Sequence, residues 1–293
     1  MHIAITGVSG RLGGYVRRAL EGHELRELDI AAPAAQSSDF RAVDLRDLTA
    51  LDAALQGIED VVHLGGIDRS VAIDDAATMQ VNVNGTWNLF EASRRAGVRR
   101  VIHCSSNSVT GLDQTNPTMP PCYLPIDEAH PLRPTDAYAL SKLCGEQVAV
   151  SFARRGLEVI VLRPCFIAFP EQVQFMAGGE SPAGRDEPKS YLCAYVGPED
   201  CARGFAAAVG LAGYAGCETF FLAAADAFAM QPTVARLEAR YGARIPLRDP
   251  ALYQRFPRAS PVSSERAMTR LRWNPTTRWL GARMACLSRI RRP

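Results

Sequence analysis

The chain has 293 residues, 47% apolar and 22% charged, which suits one large α/β domain with a full core and leaves little room for long disorder. A net charge of +2 is too small for a nucleic-acid footprint, and no apolar run approaches the roughly 18 residues of a membrane span. The eight cysteines contain no C-x-x-C pair and the five histidines no paired ligand spacing, so they read as reduced thiols, with no disulfide frame and no metal site. His2–Thr6 is a short apolar strand running straight into a glycine turn. It lacks the cationic, apolar and small-residue order of a secretory leader, so a cytoplasmic protein is expected. Leu12–Leu20 reads as a helix, Glu24–Ile30 as a second strand and Arg41–Val43 as a third. Leu48–Leu55 is a helix, Asp60–Leu64 a strand, Ala76–Ala96 one long helix and Val98–Cys104 an apolar strand. Residues 112–135 hold six prolines and form a long loop of the kind that often serves function. Ala137–Arg155 is a helix, with Thr135 or Asp136 as its N-cap, and Val159–Leu162 a strand. Residues 170–192, rich in Gly, Pro and charge, are expected to cover a site. Asp200 reads as an N-cap, Cys217–Leu222 as a strand and Thr233–Tyr241 as a helix.

Strands separated by helices of this length imply an α/β fold with a doubly wound parallel sheet. Gly7, Gly10 and Gly13 stand as G-x-x-G-x-x-G between the first strand and the first helix, the context a dinucleotide fingerprint requires. Gly7 allows the tight turn, Gly10 a close backbone approach to a pyrophosphate, and Gly13 close packing of helix on strand. Arg11 and Leu12 lie in the same turn, where the helix start faces the phosphates. Asp29 ends the second strand, where a carboxylate accepts hydrogen bonds from ribose hydroxyls and repels a 2′-phosphate, favouring NAD over NADP. Asp44-Leu45 follows the third strand, where an adenine contact fits. Leu64-Gly65-Gly66 follows the fourth, where small residues let backbone approach the cofactor. The pattern is of the Rossmann type, with a small irregular C-terminal substrate lobe. Residues 1–165 form the NAD-binding core. Residues 166–293 form a substrate-covering lobe interleaved with the end of that core.

Tyr138 and Lys142 are four apart near a helix start and share one face. An ammonium beside a phenol, together with a positive nicotinamide ring, is expected to lower the tyrosine pKa from its usual value of about 10. The phenolate can then take a proton from a substrate hydroxyl. Lysine occurs at two positions only, Lys142 and Lys189, in a chain that otherwise uses arginine. Lysine offers a compact ammonium with a tunable pKa, which points to special roles at both. Lys189 is a candidate substrate contact in the irregular segment.

The glycine triplet, Asp44-Leu45, Leu64-Gly65-Gly66, Asn82-Val83-Asn84-Gly85-Thr86, Ser105-Ser106 and the Tyr138/Lys142 pair together resemble the extended short-chain dehydrogenase/reductases, a group with sugar-nucleotide epimerases, dehydratases and uronate dehydrogenases. The resemblance is strong over residues 1–165 and weaker through Val196–Ala202 and Arg272–Pro275. It implies that Lys142 bonds the nicotinamide ribose and that Ser106 bonds the reacting oxygen. It also implies that the backbone at Pro164-Cys165 touches the nicotinamide, with ordinary packing as the alternative for the Cys165 side chain. Ser105 is expected to support the cofactor or the backbone. Asn82 is expected to contact the cofactor or order a relay water, or else to be a plain buried amide. Leu64-Gly65-Gly66 and Ser105-Ser106-Asn107 resemble the uronate dehydrogenases in particular, making Asn107 a second candidate for substrate. Ser190 stands where those enzymes carry a carboxylate-binding arginine, and Ile167 and Ala168 replace serines before their Phe-Pro pair.

The resemblance implies an NAD-dependent oxidoreductase acting on a secondary alcohol or hemiacetal of a sugar, sugar acid or related small molecule, working as a homodimer. Two alternatives remain open: a sugar-nucleotide epimerase with retained NAD, and a non-catalytic NAD-sensing scaffold. A sugar 4,6-dehydratase is not expected. That group carries Asp and Glu directly after its catalytic threonine, and Asn107 and Ser108 stand in their place.

Overall fold

The computed structural model of the chain describes residues 1–33, 39–69, 74–112, 119–177, 192–213 and 216–279. Its strands are β1 (His2–Thr6), β2 (Glu24–Asp29), β3 (Phe40–Ala42), β4 (Asp60–His63), β5 (Arg100–Cys104), β6 (Glu158–Pro164), β7 (Phe166–Ile167), β8 (Tyr195–Val196) and β9 (Cys217–Leu222). The helices are α1 (Gly13–Ala19), α2 (Leu48–Ala54), α3 (Asp75–Met79), α4 (Gly85–Arg95), α5 (Ala137–Ala153), α6 (Pro170–Ala177), α7 (Pro198–Val209), α8 (Thr233–Tyr241), α9 (Pro250–Arg255) and α10 (Glu265–Arg270). The main sheet has the order β3-β2-β1-β4-β5-β6-β9, and β3 through β6 pair in parallel. Strand order reverses between β1 and β4, and in doubly wound sheets ligands bind beyond the carboxyl ends of the strands at such a point. All four residues of β4 are buried: Val61 and Val62 are apolar, Asp60 is paired with Arg99, and His63 is hydrogen-bonded to Thr6 and Thr86.

The chain divides into two units. The first comprises Met1–Val109, Pro134–Arg163 and Ala202–Phe220, the second Thr110–Arg133, Pro164–Cys201 and Phe221 onward. Within the first, Leu51, Val61, Phe90, Val101 and Phe152 belong to one buried cluster, with the Phe90 and Phe152 rings 5.5 Å apart. Arg100, almost wholly buried, bonds Glu158 and gives Nη1 to the carbonyls of Ala208 and Val209, satisfying the C-terminal end of α7. Within the second unit, Leu124, Ile126, Phe221, Leu237 and Val262 belong to one buried cluster, and Tyr195, Phe228 and Trp279 to another. Among the described residues no helix is long and apolar enough to cross a membrane.

Two expectations are corrected. The helix over Ala76–Ala96 is not one α-helix: α3 and α4 are joined by a π-helical stretch at Gln80–Asn84. Such wide turns tend to occur at functional sites, and this one contains the buried Asn82. Asp200 is not an N-cap. It lies inside the first turn of α7, wholly buried, and its carboxylate accepts from Thr276 N and Oγ1 and from Thr277 N. The proline-rich loop also has an additional role: Leu124 and Ile126 are fully buried, with bridges to Leu247 and Val262.

Candidate active site

The turn after β1 is built by backbone contact. Gly7 has φ +72°, and a Cβ there would lie 2.6 Å from Gly65 N, so the turns after β1 and β4 meet without side chains between them. A Cβ on Gly13 would lie 2.1 Å from Val8 O, as close helix–strand packing demands. Gly10 differs: a Cβ there would have only Gly7 O, at 3.2 Å, as a neighbour within 4 Å. Its exposed flank is open to an approaching group, which is the cradle a pyrophosphate fits. Asp29 orders this turn as well as ending β2, with Oδ2 accepting from Ser9 N at 2.9 Å and Oδ1 from Ile30 N at 2.7 Å. Leu12 precedes the first residue of α1, and Arg11 pairs with Asp68 at 3.0 Å. The Asp44 carboxylate is gripped by Arg46, whose hydrogen bonds hold it below the usual range. Leu45 packs beneath the second turn, its Cδ1 3.0 Å from where a Cβ on Gly65 would sit.

The turn after β4 is held by a hydrogen-bond relay absent from the sequence reading. Leu64 N donates to Thr6 O. Gly65 N donates to Thr6 Oγ1 at 3.1 Å, and Thr6 Oγ1 lies 2.8 Å from His63 Nδ1. Thr6 is buried and, among the described residues, His63 Nδ1 is the acceptor available to its hydroxyl. His63 is therefore the neutral Nε2–H tautomer, which donates to Thr86 Oγ1 at 3.1 Å. Burial, with Lys142 adding, pushes its pKa down to about 3. Gly66 has φ +153° and sits against Asn82 and Lys142. Asn82 is a clamp: Oδ1 accepts from Ile67 N at 2.7 Å, and Nδ2 donates to Ile67 O at 2.9 Å and to Ser141 Oγ at 3.0 Å.

α5 begins at the cap Asp136, whose Oδ1 accepts from Ala139 N at 2.8 Å. One turn carries Tyr138 and the next Lys142. The buried Lys142 gives Nζ to Cys104 O at 3.0 Å and stands 5.8 Å from the Tyr138 ring centre. Burial lowers its pKa, partly offset by Cys104 and Asp68. Ser106 follows β5, and its hydroxyl favours the ionised form of Tyr138. Its Oγ accepts from Ser108 N at 3.2 Å and from Ser108 Oγ at 2.7 Å. The protein's own groups do not by themselves lower the Tyr138 pKa. Burial, the largest cause, raises it, and the Cys104 thiol adds to this. The Ser106 hydroxyl pulls it down, Asp68 pushes it up, and Arg69 pulls it down. Asn107 opens a short 3₁₀ turn, Asn107–Thr110. Ser105 bonds elsewhere: its Oγ donates to Glu146 at 2.6 Å, and Glu146 forms a buried two-bond pair with Arg163.

Pro164 ends β6 and Cys165 follows it in the second unit, where Cys165 N donates to Leu222 O. The Cys165 side chain is core packing, and burial pushes its thiol pKa up. Lys189 lies outside the described residues. The sequence reading missed Thr6, His63, Arg69 and Glu146. A histidine directly before Leu64-Gly65-Gly66 was the one local signal.

These features make a doubly wound dinucleotide-binding fold with a tyrosine, lysine and serine gathered at its switch-point edge. The sequence profile of the NAD dependent epimerase/dehydratase family matches residues 3–177, and the chain belongs to that family. A uronate dehydrogenase of Pseudomonas syringae pv. tomato is 37% identical over 175 residues, 58% of this chain and 60% of that protein. The L-arabinose 1-dehydrogenase (NAD(P)(+)) of Haloferax volcanii is 31% identical, over 71% of this chain and 82% of its own. The alignments to uronate dehydrogenases from two Pseudomonas species thus span only 59–60% of those relatives' length. A short-chain dehydrogenase/reductase superfamily protein from Agrobacterium tumefaciens, solved with bound NAD, shares the fold. Its TM-score is 0.73 at 24% identity, covering 99% of this chain and 98% of that one.

Proposed function

We propose that this chain is an NAD-dependent dehydrogenase that oxidises a secondary alcohol or hemiacetal of a sugar or sugar acid, with Tyr138 as the acid/base. The observation that carries this reading is Lys142, held by Cys104 O at 3.0 Å one helical turn beyond Tyr138 and 5.8 Å from its ring centre, with the glycine turn at Gly66 beside it. Relatives named for uronate and arabinose oxidation support the substrate class.

NAD, when bound, supplies a two-electron hydride acceptor. Gly10 would leave room for its pyrophosphate in a turn that Gly7 and Gly13 shape by close backbone packing, and Asp29 would take the adenosine ribose hydroxyls and disfavour NADP. Tyr138 Oη takes the proton of the substrate hydroxyl. Ser106 Oγ holds that oxygen in line with the phenol. Lys142, fixed by Cys104 O, keeps a positive charge under the phenolate as it forms. Asn82 and the Thr6–His63–Thr86 relay keep the turn at Gly65-Gly66 in place.

Asn107 and Ser108 follow Ser106 where water elimination would call for a pair of carboxyls, which supports redox chemistry over 4,6-dehydration. Small sugars are the intended partners. A homodimer through α4 and α5 accounts for Trp87, 41% exposed beside Arg155 and lining a cavity of about 530 Å³ with Leu48, Glu91, Arg94 and Arg95. The cytoplasm suits a chain whose described cysteines are all free thiols.

The test is NADH formation against a panel of uronates, aldoses and nucleotide sugars. Net NADH with a free sugar or sugar acid is the expected result. Exchange of sugar isomers without net NADH would replace the proposal with an epimerase. NAD binding without either would leave a sensing scaffold.

A further inference from the structure

The loop after β4 does more than approach the cofactor. Asn82 fixes its backbone at Ile67 on both the N–H and the carbonyl side. The next two residues then make ion pairs to two different parts of the first unit. Asp68 takes Arg11 of the glycine turn at 3.0 Å. Arg69 Nη2 takes Asp136 Oδ2 at 2.6 Å, and its guanidinium carbon stands 5.4 Å from the centre of the Tyr138 ring. Asp136 is the cap of α5, and its other oxygen receives Ala139 N. One carboxylate therefore starts the helix and receives Arg69, two residues before Tyr138.

We infer that Arg69 is a positioning residue for the chemistry at Tyr138: through Asp136 it fixes the first turn of α5, and across the ring it keeps a permanent cation beside the phenol. The inference rests on Tyr138 being the acid/base. The charged and titratable groups around that phenol are Cys104 on β5, Asp68 and Arg69 on the loop, and Lys142 on α5, with the Ser106 hydroxyl favouring its ionised form. Asp68 opposes Arg69 but is itself paired with Arg11. The Arg69–Asp136 side chains are 32% and 27% exposed. Ion pairs this open to water add little to stability, so removing the pair should tell on turnover and ionisation, and hardly on melting.

Sign follows from charge. A cation favours the phenolate, so its loss makes the phenol harder to ionise. Oxidation needs the base form, so the acid limb of the rate should move to higher pH. Arg69→Met should lower kcat by about tenfold through misplacement of the reacting group, shift that limb upward, and leave the melting temperature and NAD affinity close to the parent. Arg69→Lys keeps charge without the guanidinium fork, and should restore the pH profile while recovering only part of kcat. Asp136→Ser keeps a capping oxygen and removes the charge, and should reproduce the kcat loss with a smaller pH shift.

A readout independent of turnover is a fluorotyrosine placed at 138, whose fluorine resonance follows phenol ionisation. Its midpoint should rise in Arg69→Met and return in Arg69→Lys. If the parent oxidises no sugar but this midpoint moves as stated, the proposed reaction fails and the role of Arg69 stands. If the parent is active and Arg69→Met matches it in kcat, pH profile and fluorine titration, the inference is overturned. A kcat loss that tracks a fall in melting temperature, with Arg69→Lys restoring neither, overturns it as well.

Discussion

The two units hold their chain by different means. In the first, parallel strands in register bring short loops to one edge of a sheet, and buried charge is met by opposite charge: Glu146 by Arg163, and Asp60 by Arg99. In the second, regular strand is scarce, and carboxylates anchor irregular backbone. Asp200 takes the amides of Thr276 and Thr277 while its own carbonyl receives Trp273 Nε1. Asp226 takes Tyr195 Oη and Trp279 N. Gly197 fits the same arrangement, since a Cβ on it would lie 2.2 Å from Thr277 Oγ1. The first strategy places reactive groups by sheet geometry, and the second fixes a long segment by a few polar pins.

The largest effect expected is chemical and confined to the first unit. Tyr138→Phe removes one oxygen and should cut turnover by about 10²–10⁴-fold, with NAD affinity from fluorescence titration unchanged. An active Phe variant would remove the tyrosine from the mechanism. Next come the charges. Arg163→Met strands a buried carboxylate and should cost about 3–5 kcal/mol by urea unfolding. Asp200→Ala removes three hydrogen bonds from a charged acceptor and should cost about 3 kcal/mol or less. If Asp200→Ala proved the more damaging of the two, the polar pins would outweigh the buried pair and the comparison would reverse.

A smaller contrast lies within the glycine turn. Gly13→Ala forces backbone apart and should destabilise by about 1–3 kcal/mol. Gly10→Ala meets only Gly7 O and should spare stability while weakening NAD binding in the same titration. The smallest effect is at the surface. Hydrogen bonds from Arg94, then Arg95, hold Glu91 down to about 2 from an ordinary 4.5. A depressed carboxyl gives its stabilisation in full above the ordinary value and loses it as pH falls toward the folded one. Glu91→Gln should therefore be less stable by about 0.3–0.5 kcal/mol at neutral pH, with the gap closing between pH 4.5 and about 2 in a series of thermal melts.

Much of the first unit was legible because its signals are local. Three glycines at fixed spacing, an aspartate ending a strand and a Tyr/Lys pair one helical turn apart each carry their geometry in the sequence. Contacts between distant residues were not legible. Arg69 and Asp136, 67 residues apart, carry no spacing signature, and Ser105 could not be assigned to Glu146 without knowing that β5 faces α5. The π-helical stretch at Gln80–Asn84 was invisible because its flanks keep ordinary helical periodicity. Asp200 was misread since an acid at a helix start usually caps it, and its true partners lie 76 and 77 residues on. The desolvation of Tyr138 was not legible for a related reason: proximity of Lys142 is readable in the spacing, whereas the packing around the phenol is not.

The Thr6–His63–Thr86 relay has a kinetic consequence. Glycine turns at a sheet edge ordinarily trade their amide protons with water quickly, because the backbone there opens without disturbing the interior. The Gly65 amide is different, since its acceptor is the hydroxyl of the buried Thr6. That hydroxyl is anchored to an imidazole itself tied to a helix, so it cannot follow the turn outward. Gly65 should thus exchange on the timescale of the strands beside it, so that the most open-looking turn of the cofactor cradle breathes with the core.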